Sequence, residues 1–215
     1  MTRIDEFPTP GALRTPCALS QADVPAIVAV FADAFREYPV MRHVLGSGGA
    51  YDRRLDRLVE LFVSGRAYRN EPMLGIRDAD GSLVGAATTT LPAVQDPPAD
   101  FVALRESIWA ELGAPARAAY ESFIAATQRF PFAAPHYHLN MIGVRRSHQG
   151  TGIARALLDA VHALSDASSE SSGVSLSTEV PANVELYQHF GYRVHGHARV
   201  ADDLETWVLF RPRPG

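Results

Sequence analysis

His136-Tyr-His-Leu-Asn-Met-Ile-Gly-Val-Arg-Arg-Ser-His-Gln-Gly-Thr-Gly-Ile-Ala154 reads as an apolar strand that enters a glycine-bearing loop and then an amphipathic helix. Gly150 and Gly152 let the backbone approach a ligand closely, and Ala154 keeps that approach open. The first-turn N–H groups of the helix have no partner within it, and the helix dipole favours an anion in front of them. The segment is a main-chain cradle suited to a pyrophosphate. Ile153, Ala156, Leu157, Ala160, Val161 and Leu164 share one face of the helix that follows.

Two common nucleotide motifs do not fit. A P-loop needs Gly-x-x-x-x-Gly-Lys-Ser/Thr, and the chain has no lysine. A dinucleotide fold needs Gly-x-Gly-x-x-Gly early in a βαβ unit, whereas Gln149-x-x-Gly152-x-Ala154 lies late in the chain. A second segment follows. Val174, Leu176 and Thr178 alternate as in a short strand, Pro181 and Asn183 open a helix, and Gly191 stops it.

The pattern Gln149-x-x-Gly152-x-Ala154 resembles the acyl-CoA loop of the GNAT superfamily of N-acetyltransferases. Asn183, Tyr187, Gly191 and Tyr192 are similar to that superfamily's second motif, in the same order along the chain. A closer likeness, to the puromycin N-acetyltransferases, runs from about Ala18 to Pro212 and is loose only from about Asp96 to Phe132. It is carried by Phe35–His43, Leu58–Phe62, both motifs and Thr206-Trp207. Two departures mark it: the acid of Ser177-Thr-Glu179 lies two places late, and His138 puts a titratable group where those enzymes have none.

The resemblance implies an α/β fold with a central mixed, mostly antiparallel sheet of about six or seven strands. Helices flank that sheet, and it is splayed to hold acyl-CoA. It also implies acetyl-CoA as acyl donor, with no metal. Cofactor contacts are expected from Ile142, Gly143, Val144, Gln149, Gly150, Thr151, Gly152, Ile153, Ala154 and Asn183, with a strand bulge marked by Gly143. Tyr187 stands where the superfamily places the acid for the departing thiolate, and its plainer alternative is a packed aromatic ring. His138 and Asn140, two apart on a strand and so on one side of the sheet, are candidate base or relay. Glu179 is a rival base or a surface carboxylate, and His148 is expected to flank the phosphates. With no lysine, phosphate-contacting cations must be arginines, of which Arg145, Arg146 and Arg155 are nearest. Tyr38, Arg42, His43, Trp109 and Tyr120 are candidates for the acceptor pocket, while Phe130 and Phe132 are expected in the core.

Composition narrows the function classes. A 215-residue chain with formal net charge −4 suits one α/β unit and argues against nucleic-acid binding. Cys17 is the single cysteine, so no internal disulfide can form and a reducing, cytoplasmic setting is expected. No apolar run reaches the length of a membrane span. Residues 1–16, with three prolines, read as a mobile tail, and 17–215 as one acetyltransferase domain, monomeric or homodimeric.

Along the chain, a short strand at 17–19 precedes a helix capped by Ser20 that runs to about Glu37 and is broken by Pro39. A helix over Leu55–Phe62, a hairpin of 73–76 and 83–90, and helical stripes at Phe101–Leu112 and Tyr120–Thr127 follow. Ser165–Gly173 reads as a solvated linker, and strands at 192–195 and 205–210 close the sheet. Three functions stay open: N-acetylation of a small primary amine such as an antibiotic or other xenobiotic, the same chemistry on a peptide or protein amine, and a non-catalytic acyl-CoA-binding module.

Overall fold

The structure, a computed structural model, describes residues 15–93 and 96–214. Most of the expected N-terminal tail, and Val94 and Gln95 of the loop after the first hairpin, lie outside the described residues.

The described residues open with strand β1 (Cys17–Ala18) and helix α1 (Val24–Phe35). Between them a single 3-10 turn is held by Ser20, whose N–H and hydroxyl both donate to Asp23 Oδ2, at 2.8 and 2.9 Å. Pro39 ends nothing new: α1 has already stopped, and Pro39 opens helix α2 (Pro39–Leu45). Proline is tolerated in a first turn because its missing N–H would be unpaired there anyway. Helix α3 (Tyr51–Ala67) follows, then the hairpin β2 (Met73–Arg77) and β3 (Leu83–Thr90), and helices α4 (Ala99–Leu112) and α5 (Ala114–Thr127). The second half runs β4 (Tyr137–Val144), α6 (Ile153–Ala167), β5 (Gly173–Thr178), α7 (Pro181–His189), β6 (Arg193–Ala201) and β7 (Leu204–Pro212).

The strands form a seven-stranded sheet in the order β1-β2-β3-β4-β5-β7-β6, antiparallel except for β4 against β5. One face packs on α1 to α5 through Ile27, Phe31, Leu55, Leu58, Ile108 and Met141. The other packs on α6 through Leu157, Val161, Val84, Leu139, Val174 and Leu176. The closing strands are longer than their sequence suggests, because β6 and β7 form one continuous hairpin. The serine-rich stretch after α6 is not simply a solvated turn. Helix α6 extends to Ala167, and Ser165 and Ser171 are buried with their hydroxyls 2.8 Å apart.

Two irregularities in β4 position everything that follows. The first is a bulge. Met141 faces Thr88 and Leu139 faces Thr89, so Asn140 is an extra residue in the ladder. The bulge shifts the side-chain alternation by one. Tyr137 and Leu139 face α6, and beyond the bulge so do Ile142 and Val144, while Met141 faces the opposite core. The second is a fork. β4 and β5 pair only at Tyr137↔Val174 and His138↔Ser175, after which β4 continues along β3 and β5 along β7.

Gly143 is not the bulge. It pairs regularly with Ala86, and its missing side chain makes room for α1: a Cβ there would sit 2.9 Å from Phe31 Cδ1 and 3.0 Å from Ala34 Cβ. Both neighbours are held by the helix, so the clash cannot be relieved by a flexible tip. Gly143→Ala is expected to lower stability by about 1–3 kcal/mol, the usual range for an overpacked core. In urea this should read as a lower unfolding midpoint at unchanged slope.

Candidate active site

The fork opens a cleft of about 1150 Å³ that runs from the loop before α6, past β4 and β5, to α3 and α5. At one end lies the glycine loop. Gly152 is the N-cap of α6 at φ +82°, a left-handed conformation that costs a residue with a side chain. Open space surrounds Gly150 and Gly152 where a Cβ would stand. No side chain caps α6, so its first-turn N–H groups face the cleft. Gln149 Nε2 donates to Val144 O at 3.3 Å and ties the loop to β4. An acyl-CoA pyrophosphate fits this end: main-chain donors, a dipole of the right sign and room in front of them.

The expected cofactor residues Ile142, Gly143, Val144, Gln149, Gly150, Gly152, Ile153, Ala154 and Asn183 all line the cleft. Thr151 does not; its hydroxyl turns back to donate to His148 O at 2.6 Å and closes the loop. His148 lines the cleft at this end. Of the three arginines, Arg145 is engaged with Leu83 O and Arg146 with Asp33, both through the guanidinium Nε. Arg155 lines the cleft, its guanidinium 4.8 Å from the centre of the Phe190 ring.

Past the fork sits a buried acid. Glu179 follows β5 and is 7% exposed, so the reading of it as a surface carboxylate does not hold. Burial pushes its pKa up to about 7, against opposing hydrogen bonds from Thr206 and Tyr38. Thr206 Oγ1 donates to Oε1 at 2.8 Å. The Tyr38 bond has a fixed direction. Thr178 Oγ1 accepts from Asn183 Nδ2 at 3.2 Å and from the Val180 N–H at 3.4 Å, which fills its lone pairs. Its own hydrogen therefore goes to Tyr38 Oη, 3.1 Å away, and Tyr38 Oη also accepts from the Glu179 N–H at 3.2 Å. The phenolic hydrogen of Tyr38 is left for the Glu179 carboxyl group. Tyr38 and Asn183, expected at the acceptor and the cofactor, form the setting of this acid.

Tyr187 on α7 lines the same region, its ring packed edge-on to Tyr192 at 5.6 Å. Burial, and then the charge of Glu179, push its pKa up to about 12. His138 also lines the cleft, with Nδ1 2.8 Å from Ser175 Oγ across the two-residue pairing. Burial, then the nearby His136 and Arg66, pull its pKa down to about 4, so the imidazole is neutral at pH 7. Asn140 stands on the bulge and accepts a hydrogen bond from Thr90 Oγ1 at 3.0 Å.

The end of the cleft expected to take the acceptor departs most from expectation. Tyr38 and Tyr120 line the cleft, but Trp109 is buried on the far side of Tyr120, ring centres 5.4 Å apart, as part of the core. Arg42 pairs with Glu37 at 2.7 Å and covers the Tyr51 ring at 3.8 Å, on another face of the molecule. His43, half-buried on α2, does not reach the cleft either. Conversely, Phe130 and Phe132 are half-exposed lining residues and not core. Phe130 fills the notch at Gly196, where a Cβ would sit 2.1 Å from its ring, and Phe132 stacks on His195 at 4.2 Å. Arg66 was not anticipated, while Phe62 and Phe123 keep the core packing that helical spacing assigns them and also border the cleft. No group of three or more His, Cys, Asp or Glu is placed to hold a metal ion among the described residues, and none of their helices is long and apolar enough to cross a membrane.

Comparison with known proteins agrees with this geometry. The family described as Acetyltransferase (GNAT) domain matches residues 105–194, which include β4, the glycine loop, α6, β5 and α7. Among solved structures, the chain is similar to a Corynebacterium glutamicum protein described as histone acetyltransferase HPA2 and related acetyltransferase. The two are 24% identical with a TM-score of 0.67, over 94% of this chain and 97% of that one. The ribosomal-protein-S18-alanine N-acetyltransferase from Escherichia coli is 16% identical with a TM-score of 0.55, over 92% of each chain. A chain of the NatC complex bound to Gag peptide and CoA is 15% identical with a TM-score of 0.51, over 93% of this chain and 98% of that one. At these identities the structural likeness establishes a shared fold. Over residues 105–194, which build the fork and the helix-capping glycine loop, the chain is similar to the GNAT acetyltransferase domain.

Proposed function

We propose that residues 17–215 act as one acetyl-CoA-dependent N-acetyltransferase whose acceptor is the primary amine of a small molecule. The observation that carries this is the fork: one cleft joins a main-chain anion cradle to a buried carboxyl group, Glu179, and a buried phenol, Tyr187.

The glycine loop and the α6 N-terminus would hold the pyrophosphate, and the edge of β4 beyond the bulge the pantetheine arm. Past His138 no strand among the described residues pairs with that edge, so alternate N–H and C=O groups can bond an extended ligand. Acetyl-CoA supplies the activated acetyl thioester. The chain's own groups manage protons. An amine is mostly protonated at neutral pH, and Glu179, half-ionised near pH 7, is tuned to take that proton, directly or through water. His138 is less suited, because an imidazole with a pKa near 4 holds a proton weakly. Tyr187 keeps its proton across the working range and can donate to the departing sulfur. With a thiol reference of about 8.5, complete transfer from a phenol at about 12 is uphill by about 5 kcal/mol. Tyr187 therefore stabilises the sulfur chiefly as a hydrogen-bond donor.

An acceptor end walled by Phe62, Tyr120, Phe123, Phe130 and Phe132 favours a compact apolar or aromatic amine. Puromycin, the acceptor of the enzymes that Phe35–His43 resembles, belongs in the first panel tested. Two of the similar structures concern peptide or ribosomal-protein substrates, so a peptide N-terminus is the second acceptor class to test.

Three measurements test the assignment. For acetyl-CoA-dependent thiol release, kcat/KM should rise with pH through about 7, since below that value Glu179 is protonated and cannot accept. Glu179→Gln should lose this limb and about 100-fold or more in rate, whereas His138→Gln should keep the limb. Retention of the limb in Glu179→Gln would remove the base assignment. Tyr187→Phe should lower kcat by about 100-fold or more with little change in the KM for acetyl-CoA. Gly152→Ala should weaken acetyl-CoA binding about tenfold or more, because it costs backbone strain and fills the cradle. Gly81→Ala, at the same kind of φ (+81°) on the remote β2–β3 turn with equally open surroundings, should leave acetyl-CoA affinity unchanged.

A further inference from the structure

Arg66 on α3 reaches the acceptor end of the cleft with its side chain 20% exposed. Its Nε lies 2.8 Å from Glu71 Oε2, yet neither atom has a hydrogen-bond partner among the described residues. The pair is coulombic, with the N–H not directed at the carboxylate. Arg69 also acts on Glu71, so two guanidinium groups stand against one carboxylate here.

The direction of the next bonds follows from chemistry. A guanidinium only donates, so Arg66 Nη1 donates to Thr90 Oγ1. The single Thr90 hydrogen then goes to Asn140 Oδ1 at 3.0 Å. With its oxygen held, the Asn140 amide turns its Nδ2 outward, and neither of that nitrogen's hydrogens has a partner among the described residues. Arg66 Nη2 has none either. The bulge places Asn140 in the cleft, and Arg66 stands beside it. Arg66 and Asn140 thus present donors side by side, and one of them is positively charged.

Resting on the acetyltransferase reading above, we infer that Arg66 and Asn140 form a subsite for an anionic oxygen of the acceptor, so that the preferred substrates are amines that also carry a carboxylate. A second cation is repelled by Arg66, which turns the amine away from this end and toward Glu179 on the β5 side of the fork. Phe62 and Tyr120, in ring contact at 5.2 Å, offer one apolar surface against which the body of the substrate can lie. Thr90 is a positioning residue, since it acts through Asn140.

The test compares phenylalanine with phenethylamine, which differ by the carboxylate, in wild type, Thr90→Val and the double variant Arg66→Met/Glu71→Gln. The double change avoids stranding a buried carboxylate. The readout is the ratio of kcat/KM for the two amines; comparing ratios between variants cancels the amines' own basicity. A charge-assisted hydrogen bond predicts that the wild-type ratio favours phenylalanine by about tenfold or more. The double variant should lose about tenfold or more of that preference, and Thr90→Val a smaller part. A wild-type ratio near or below one, or a ratio that the double variant does not move, overturns the inference. Binding of 3-phenylpropionate by calorimetry gives an arm that needs no catalysis. Binding to wild type that weakens about tenfold in the double variant supports the subsite; equal binding, or none to wild type, overturns it. If no amine supports thiol release, the catalytic reading fails, and the calorimetric arm still decides the subsite.

Discussion

Two strands that pair for two residues and then part are the constraint on which the rest of this structure depends. A strand edge inside a protein normally cannot be left open, because each unpaired N–H and C=O costs free energy when water is excluded. β4 is paired with β3 along one edge from His138 to Val144, interrupted only by the bulge at Asn140, while its other edge has β5 only at Tyr137 and His138. The divergence turns a flat sheet into a cleft with main-chain donors along one wall. Around it, the bulge at Asn140 re-aims the β4 side chains, Gly143 lets α1 pack close behind the strand, and Gly152 turns the chain so that α6 points its N-terminus at the opening.

The cleft also sets the chemistry, through burial. A carboxyl group, two phenols and an imidazole are brought together with little solvent, and desolvation moves each toward its neutral form. The result is uneven because the local partners differ. Glu179 keeps two hydrogen-bond donors and stops near 7, so it titrates in the useful range. His138 has a serine hydroxyl for a partner and a nearby guanidinium, and it is driven well below that range. Tyr38 and Tyr187 are held as phenols, each raised further by the charge of Glu179. An acid that reads as a surface carboxylate in the sequence is thus buried and titrates near 7 because of where β5 ends.

Much of this was legible in the sequence where local rules decide. The strand–loop–helix of 136–164 follows from hydrophobic period and glycine placement, and α6 begins at Ile153 as its periodicity predicts. The sheet of seven strands, mostly antiparallel, fits the expectation of six or seven. What was not legible depends on contacts distant in sequence. Nothing near Asn140 announces a bulge, because the extra residue is defined only against Thr88 and Thr89. Glu179 looks like any polar residue at a strand end until Thr206 and Tyr38 close over it. Trp109 and Phe132 exchange their expected places for the same reason. Both are aromatics in amphipathic surroundings, and only the packing of α5 against the sheet decides which faces the core and which the cleft.

The central claim, that the open edge of β4 and the N-terminus of α6 hold acyl-CoA, is tested most directly by residue-resolved amide hydrogen exchange with and without CoA. The account predicts slowed exchange confined to the free-edge amides of Leu139–Val144 and to the first-turn amides of Ile153–Arg155, with β2 and β6 unaffected. CoA binding that protects neither segment, or that protects some other part of the fold, would contradict it.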